Sequence, residues 1–325
     1  MDKAGQPQKA TGAAPRWRAR QFHYLSRDSH VHPFLVDLWD EVRRESDGRF
    51  DTTVIAANQG LPKSHFDIVQ MLIDGEIEFY VLMGGILGPL VPALEIQGLP
   101  FVFSSHAQVH SVFDGPLGAY LRQELLAKGV SALPCGLMEN GFRHVSTIDK
   151  PVLQAVDLEG LSIRIPEGKM FEDAFRDLGA KPLPVYVGEL YRALAERRID
   201  AQENPLAITD ALKLHEVTRH ISLTYHMWSG FNILAGKRFW DGLPPDMQQI
   251  ILRSVKKHVA RQRAHTDALN HGLELKLAER GMIISRPQQA SFRSRLVENG
   301  FYARWKNILG SKAWSLLEDS IGKIA

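Results

Sequence analysis

The sequence predicts an α/β protein of two lobes, each with a mixed sheet, joined by crossing hinge strands and spanned by one long helix. Three observations carry this expectation. The chain has 325 residues, beyond the size at which single hydrophobic cores stop growing, so two lobes are expected. A cassette of helix, tight turn, apolar residue, acid and strand occurs twice, at residues 70–78 and again at 191–204. Apolar residues recur at helical spacing from Leu243-Pro244-Pro245 almost to Gly281 without a hard break, which is long for a globular helix.

The first elements follow in order. Phe22 to Leu25 reads as a strand and Ser26 to His30 as a polar turn. Pro33 suits the first turn of a helix whose apolar residues run Phe34, Leu35, Leu38, Trp39. Residues 50–56 alternate as a second strand, 66–74 repeat at helical spacing, and 77–83 form a third strand. That β-α-β-α-β order implies a parallel sheet with helices on its faces. The carboxyl ends of such strands are where open α/β sheets bind ligands, and two such ends facing each other make a cleft. Residues 225–229 interrupt two apolar runs and read as a strand crossing between lobes. In the long helix Met247, Ile250, Ile251, Ser254, Val255, His258 and Val259 share one face, and Leu269, Leu273, Leu275 and Leu277 resume it. Residues 292–317 hold further helices with Trp305 and Trp314 as packing anchors. The expected division is a disordered tail at 1–20, a first lobe of 21–141 plus about 230–270, and a second of 142–229 plus about 271–325.

Composition excludes several classes of function. Lys and Arg number 39 against 37 Asp and Glu, and the excess sits in the tail, at Lys3, Lys9, Arg16, Arg18 and Arg20. A near-neutral body carries no nucleic-acid footprint. No apolar run approaches the roughly 20 residues that span a bilayer. Cys135 is the only cysteine, so no internal disulfide forms, and its apolar neighbours mark it as a small buried hydrophobe. The glycines at 84, 85 and 88 lack dinucleotide-loop spacing, and no hydrolase or zinc-protease motif is present. His30 and His32 present two nitrogens, but zinc needs three or four ligands. Neither metal nor cofactor is therefore expected, and His32 is kept as a candidate ligand contact.

The candidate binding residues stand where apolar runs end. Arg164 lies in Leu161-Ser162-Ile163-Arg164-Ile165, stopped by Pro166. An arginine at a strand end offers a planar fork that matches a carboxylate in two parallel hydrogen bonds. Arg143 follows Asn140-Gly141-Phe142, where glycine permits a bend. It offers a second fork, or else a junction ion pair with Glu139, itself counted with the site. Asn204 ends the second cassette and precedes Pro205; its amide both donates and accepts. Glu203 would repel an anion, so it is expected to orient an arginine or cap a turn. Tyr80 and Gly84 occupy the matching end of the first cassette. Trp228 and Tyr225 offer aromatic walls, and His226 is the sole base that an enzyme acting on a carboxylic acid could use.

Taken in order, Gly98-Leu99-Pro100-Phe101, Asn140-Gly141-Phe142-Arg143, residues 160–166, Gly179-Ala180-Lys181-Pro182, residues 200–205 and Lys237-Arg238-Phe239-Trp240 resemble the solute-binding proteins of tripartite ATP-independent periplasmic (TRAP) transporters. The resemblance runs from about 21 to 280. It implies a periplasmic binding protein fold and an extracytoplasmic receptor that binds a small organic acid, delivers it to integral membrane subunits and does no chemistry on it. It places the main carboxylate-binding arginine on Arg164, the supporting one on Arg143 and the pocket asparagine on Asn204. Sialic-acid-binding members carry a phenylalanine where Val187 stands, which argues against that ligand and gives Tyr186 part of the wall. The tail lacks the apolar segment of an export signal; the resemblance implies a periplasmic protein whose signal has been removed. A cytoplasmic carboxylate-sensing module is the alternative.

Overall fold

A computed structural model describes residues 16–324 of the chain. The first elements are β1 (Trp17–His23), α1 (His32–Glu45), β2 (Phe50–Ile55), α2 (His65–Asp74) and β3 (Phe79–Met83). Then come α3 (His106–Asp114), α4 (Pro116–Leu126), the long strand β4 (Val130–Thr147), β5 (Ser162–Ile165), α5 (Lys169–Asp177) and β6 (Lys181–Pro184). α6 (Leu190–Ala195), β7 (Ala201–Asn204) and α7 (Leu206–Ala211) precede the second long strand, β8 (His220–Gly236). The chain finishes with α8 (Lys237–Asp241), α9 (Pro245–Glu279), β9 (Ile283–Ser285), α10 (Gln289–Glu298), α11 (Phe301–Leu309) and α12 (Ser311–Ile321).

Both cassettes are present, as α2–β3 and α6–β7. β2, β1 and β3 run parallel on one side, and β7, β5 and β6 run parallel on the other. The two expected sheets are hydrogen-bonded into one, in the order β2-β1-β3-β8-β4-β7-β5-β6, with β9 beside the start of β8. The reason is the length of β4 and β8. They pair antiparallel from Val130↔Gly236 to Thr147↔His220 and reach both halves. Their register slips between Ala132 and Leu137, between Glu139 and Gly141, and between Arg143 and Val145. Such irregularities bend and twist a strand pair. Gly141 sits at one of them with φ +124, and a Cβ there would lie 2.8 Å from the Asn270 amide.

The long helix α9 has 35 residues, about 52 Å at the usual rise, and packs along β4, α1 and α7. Its expected face from Met247 to Val259 is buried and continues through Gln262, Thr266, Leu273 and Leu277. Leu275 is instead 73% exposed, because it lies off that stripe. Gln262 fixes the helix to the crossing strand: its Oε1 accepts from the Glu139 amide at 2.8 Å and its Nε2 donates to the Glu139 carbonyl at 2.7 Å.

Three expectations need correction. The tail was expected to run unstructured to residue 20, but Trp17 to Arg20 already form β1, paired with β2. Arg20 also donates through Nε to Glu78 at 3.0 Å; residues 1–15 lie outside the described residues. Cys135 is exposed, not buried, because it occupies the bulge between Ala132 and Leu137 at φ 58. Of the C-terminal helices grouped with the second half, α10 packs on α5 there, whereas α12 packs on α3 and α4 of the first. The Tyr302 hydroxyl of α11 likewise donates to the Pro100 carbonyl at 3.0 Å.

Candidate functional site

The parallel strands of both halves end around one cavity. Tyr24 follows β1, Met83 ends β3, Arg164 and Pro166 close β5, and Asn204 ends β7; all four ends line it. Aromatic rings form one wall. The Tyr24 ring stands edge-on to His65 at 4.9 Å, 6.0 Å from Phe231, and Tyr186 lies 6.3 Å from His65.

Arg164 is 3% exposed. Its Nε donates to the Val185 carbonyl at 2.8 Å, which orients the end of the guanidinium. Among the described residues its two terminal nitrogens have no acceptor, although Arg164 belongs to the cavity lining. Burial lowers its pKa to about 10, partly offset by the charge of Glu203. The side chain stays a cation at neutral pH, without an ion-pair partner among the described residues.

Arg143 is 2% exposed and fully engaged. It forms a forked pair with Glu203, Nε to Oε2 at 2.5 Å and Nη2 to Oε1 at 2.7 Å. It also donates to the Glu203 carbonyl at 2.9 Å, to Asn204 Oδ1 at 3.2 Å and to Ser229 Oγ at 3.2 Å. The expected junction ion pair exists, but its acid is Glu203 and not Glu139. The β4–β7 register explains the choice, since it sets Val145 opposite Glu203 and His144 opposite Asn204. Glu203 has no exposed side chain; burial pushes its pKa up, but Arg143 and His226 pull it below the ordinary value, so it is ionised.

Of the remaining candidates, Asn204 and Tyr186 line the cavity. Six do not, and each has a physical reason. Tyr80 is buried behind the wall, where its hydroxyl accepts from Asn58 Nδ2 at 3.1 Å and meets His65 Nδ1 at 2.6 Å. When the hydroxyl donates to Nδ1, the His65 ring proton sits on Nε2. Gly84 packs against Gln97, whose Oε1 lies 2.0 Å from where a Cβ would stand. Glu139 accepts from Trp228 Nε1 at 2.6 Å, His110 Nε2 at 2.8 Å and His106 Nδ1 at 3.0 Å, so Glu139 and Trp228 secure the crossing strands to α3. His226 is buried outside the lining, held between Glu203 Oε2 at 3.1 Å and Thr224 Oγ1 at 2.7 Å. His32 pairs with His23 at 2.8 Å, away from the cavity.

Several lining residues escaped sequence reasoning, among them Tyr24, His65 and Asn140. Tyr24 had a usable signal, because it stands at the end of the first parallel strand. Asn140 lay inside a motif already singled out for its arginine. His65 starts α2 and carried no local signal; its place depends on how α2 packs on the sheet.

This geometry defines a class: a two-sided α/β receptor with an unpaired buried cation in a cavity between strand ends. The chain belongs to the bacterial extracellular solute-binding protein family 7, the DctP family, whose model matches residues 22–299. It is similar to a solute-binding protein of Verminephrobacter eiseniae, 30% identical over 74% of this chain and 71% of that protein. The 2,3-diketo-L-gulonate-binding periplasmic protein of Escherichia coli is 36% identical over 54% of this chain and 52% of its own length. In structure it is similar to a TRAP periplasmic solute-binding protein from Polaromonas bound to D-erythronate, with a TM-score of 0.85, 26% identity, and coverage of 93% of this chain and 98% of that one. Among the described residues no helix is long and apolar enough to cross a membrane.

Proposed function

We propose that this protein is the periplasmic receptor of a TRAP-type transporter, taking a small organic acid into the cavity between its strand ends and delivering it to the membrane subunits. The observation that carries the reading is Arg164, a buried guanidinium in the cavity lining whose terminal fork meets no acid or other acceptor among the described residues. Burying an unpaired cation is costly, and a ligand carboxylate received in two parallel bonds offsets that cost. Arg143, held by Glu203, supports the site as a second positive group, and Asn204 contributes an amide. Tyr24, Tyr186 and His65 supply apolar faces with polar tips. Relatives named for 2,3-diketo-L-gulonate and solved with D-erythronate are consistent with a carboxylate ligand.

The two halves act as lobes that close about the kinks in β4 and β8 by hinge motion. Closure excludes water and strengthens the arginine contacts. A thermal-shift panel of organic acids tests the reading, because a ligand that binds only the folded state raises the melting temperature. Stabilisation by at least one carboxylate, abolished in Arg164→Ala, is the expected result. A panel in which only neutral solutes stabilise the protein would refute it.

A further inference from the structure

We propose that a proton-operated latch joins the two halves: α5 docks on the first half through Glu95, and the halves close more readily with that carboxyl protonated than with it ionised. The inference rests on the reading that the halves close about a ligand, and adds to it a control outside the cavity.

The first turn of α5 has no cap of its own. Gly168 stands at its N-terminal boundary with φ 148 and makes no side-chain cap, yet the first amides of a helix need acceptors. The other half supplies one. Glu95 lies in the short helix Pro92–Gly98, which follows β3, and its Oε2 accepts from the Met170 amide at 2.6 Å. The next residue makes a second contact across the same boundary. Phe171 is buried, and a Cβ at Gly85 would lie 3.0 Å from its ring, so the bare backbone of Gly85 is what lets the ring seat. Both contacts join elements on opposite sides of the crossing strands. A hinge motion that parts the halves breaks them.

The surroundings of Glu95 oppose the attraction of a helix N-terminus for negative charge. The carboxyl is 4% exposed. From α5 it faces Asp173 and Lys169, which pair with each other at 2.8 Å. β8 brings the neutral Asn232, bonded to Gln97 at 3.2 Å. α11 brings Tyr302, raised by burial to about 12, while Arg304 and Lys306 of that helix are engaged by Asp177 and the Trp314 ring. Burial, helped by Asp173, raises the Glu95 pKa to about 7 in the docked state. Once the halves part, water reaches the carboxyl and its ordinary value of 4.5 returns. Between those two values the closed form carries a proton that the open form lacks, so lowering the pH through them favours closure. Above about 7 both forms are ionised, and closure buries a charge.

Calorimetry on the full chain, with D-erythronate as the probe at pH 6 in two buffers of different ionisation enthalpy, counts the protons taken up on binding. The wild type should take up about one proton more than Glu95→Gln. From pH 8 to pH 5.5 its affinity should also rise roughly tenfold beyond any rise in the variant. Equal proton counts, or an equal pH dependence, overturn the latch and leave the carboxylate reading intact. If neither D-erythronate nor succinate binds, the carboxylate reading falls and the ligand-free protein decides the latch. Spin labels at Arg44→Cys and Arg192→Cys, in a Cys135→Ser background, report the distance between α1 and α6. The short-distance share should be larger at pH 5.5 than at pH 8, and independent of pH once Glu95→Gln is added. A share that ignores pH while Glu95 is present overturns the inference.

Discussion

Replacing Arg164 separates ligand binding from stability, because among the described residues the guanidinium makes one internal hydrogen bond, to the Val185 carbonyl. Two charge-assisted bonds to a carboxylate contribute roughly 1.5–3 kcal/mol each. Arg164→Ala should therefore weaken binding by about 3–6 kcal/mol, a loss of roughly two to four decades in Kd. Arg164→Lys keeps the charge but loses the fork and one of the two bonds, so about one to two decades should disappear. Neither variant should melt below the wild type without ligand, since each removes or relocates a buried cation that no acid among the described residues pairs with directly. Calorimetric titration with an acid that stabilises the wild type reads the first quantity, and ligand-free scanning calorimetry reads the second. Binding by either variant within threefold of wild type would refute the assignment. A ligand-free melting temperature well below wild type in both variants would show that Arg164 is a structural residue.

Arg143→Ala should behave in the opposite way: it strands Glu203 as a buried charge, and the ligand-free protein should lose about 3–5 kcal/mol in chemical denaturation. An unaltered denaturation midpoint would contradict the pairing. Burial lowers His23 and His144 to about 3 and His30 and His65 to about 4. The unfolded chain therefore binds protons below about 6.5 that the folded chain refuses until near 4. Stability should fall as pH drops through that window, by up to about 1.4 kcal/mol per pH unit for each histidine; a melting temperature flat from pH 6.5 to 4.5 would be inconsistent with neutral buried rings. Glu95 accepts from the Met170 amide at 2.6 Å, and burial raises its pKa to about 7. A carboxyl raised in the folded state costs stability as pH rises from its unfolded value to about 7, and the cost persists above. Glu95→Gln should accordingly raise the melting temperature more at pH 8 than at pH 5, and an equal effect at both would argue against that shift.

Much of the fold was legible because its signals are local. The first three strands and two helices follow from apolar spacing and punctuation, and α9 begins at the proline pair that marked it. Arg164 and Asn204 were legible for a related reason: each stands at a strand end beside a proline, where the chain must leave the sheet. What escaped depends on long-range register. Nothing near Arg143 reveals that β4 pairs with β7 so as to bring Glu203 to it, and the neighbouring Glu139 was the natural but incorrect partner. Glu139 in turn meets His106, His110 and Trp228 only after α3 folds against the crossing strands. Trp17 to Arg20 looked like part of a basic tail because their ladder partner is β2, more than 30 residues later. Cys135 sits among apolar residues yet is turned outward by a bulge that composition does not encode.

The most direct test is a crystal structure of the protein with a bound monocarboxylate. The account requires both carboxylate oxygens to lie about 2.7–2.9 Å from the two terminal nitrogens of Arg164, with Arg143 still forked to Glu203. An acid bound with its carboxylate elsewhere, for instance in the outer groove beside Tyr225 and Asp267, would contradict it.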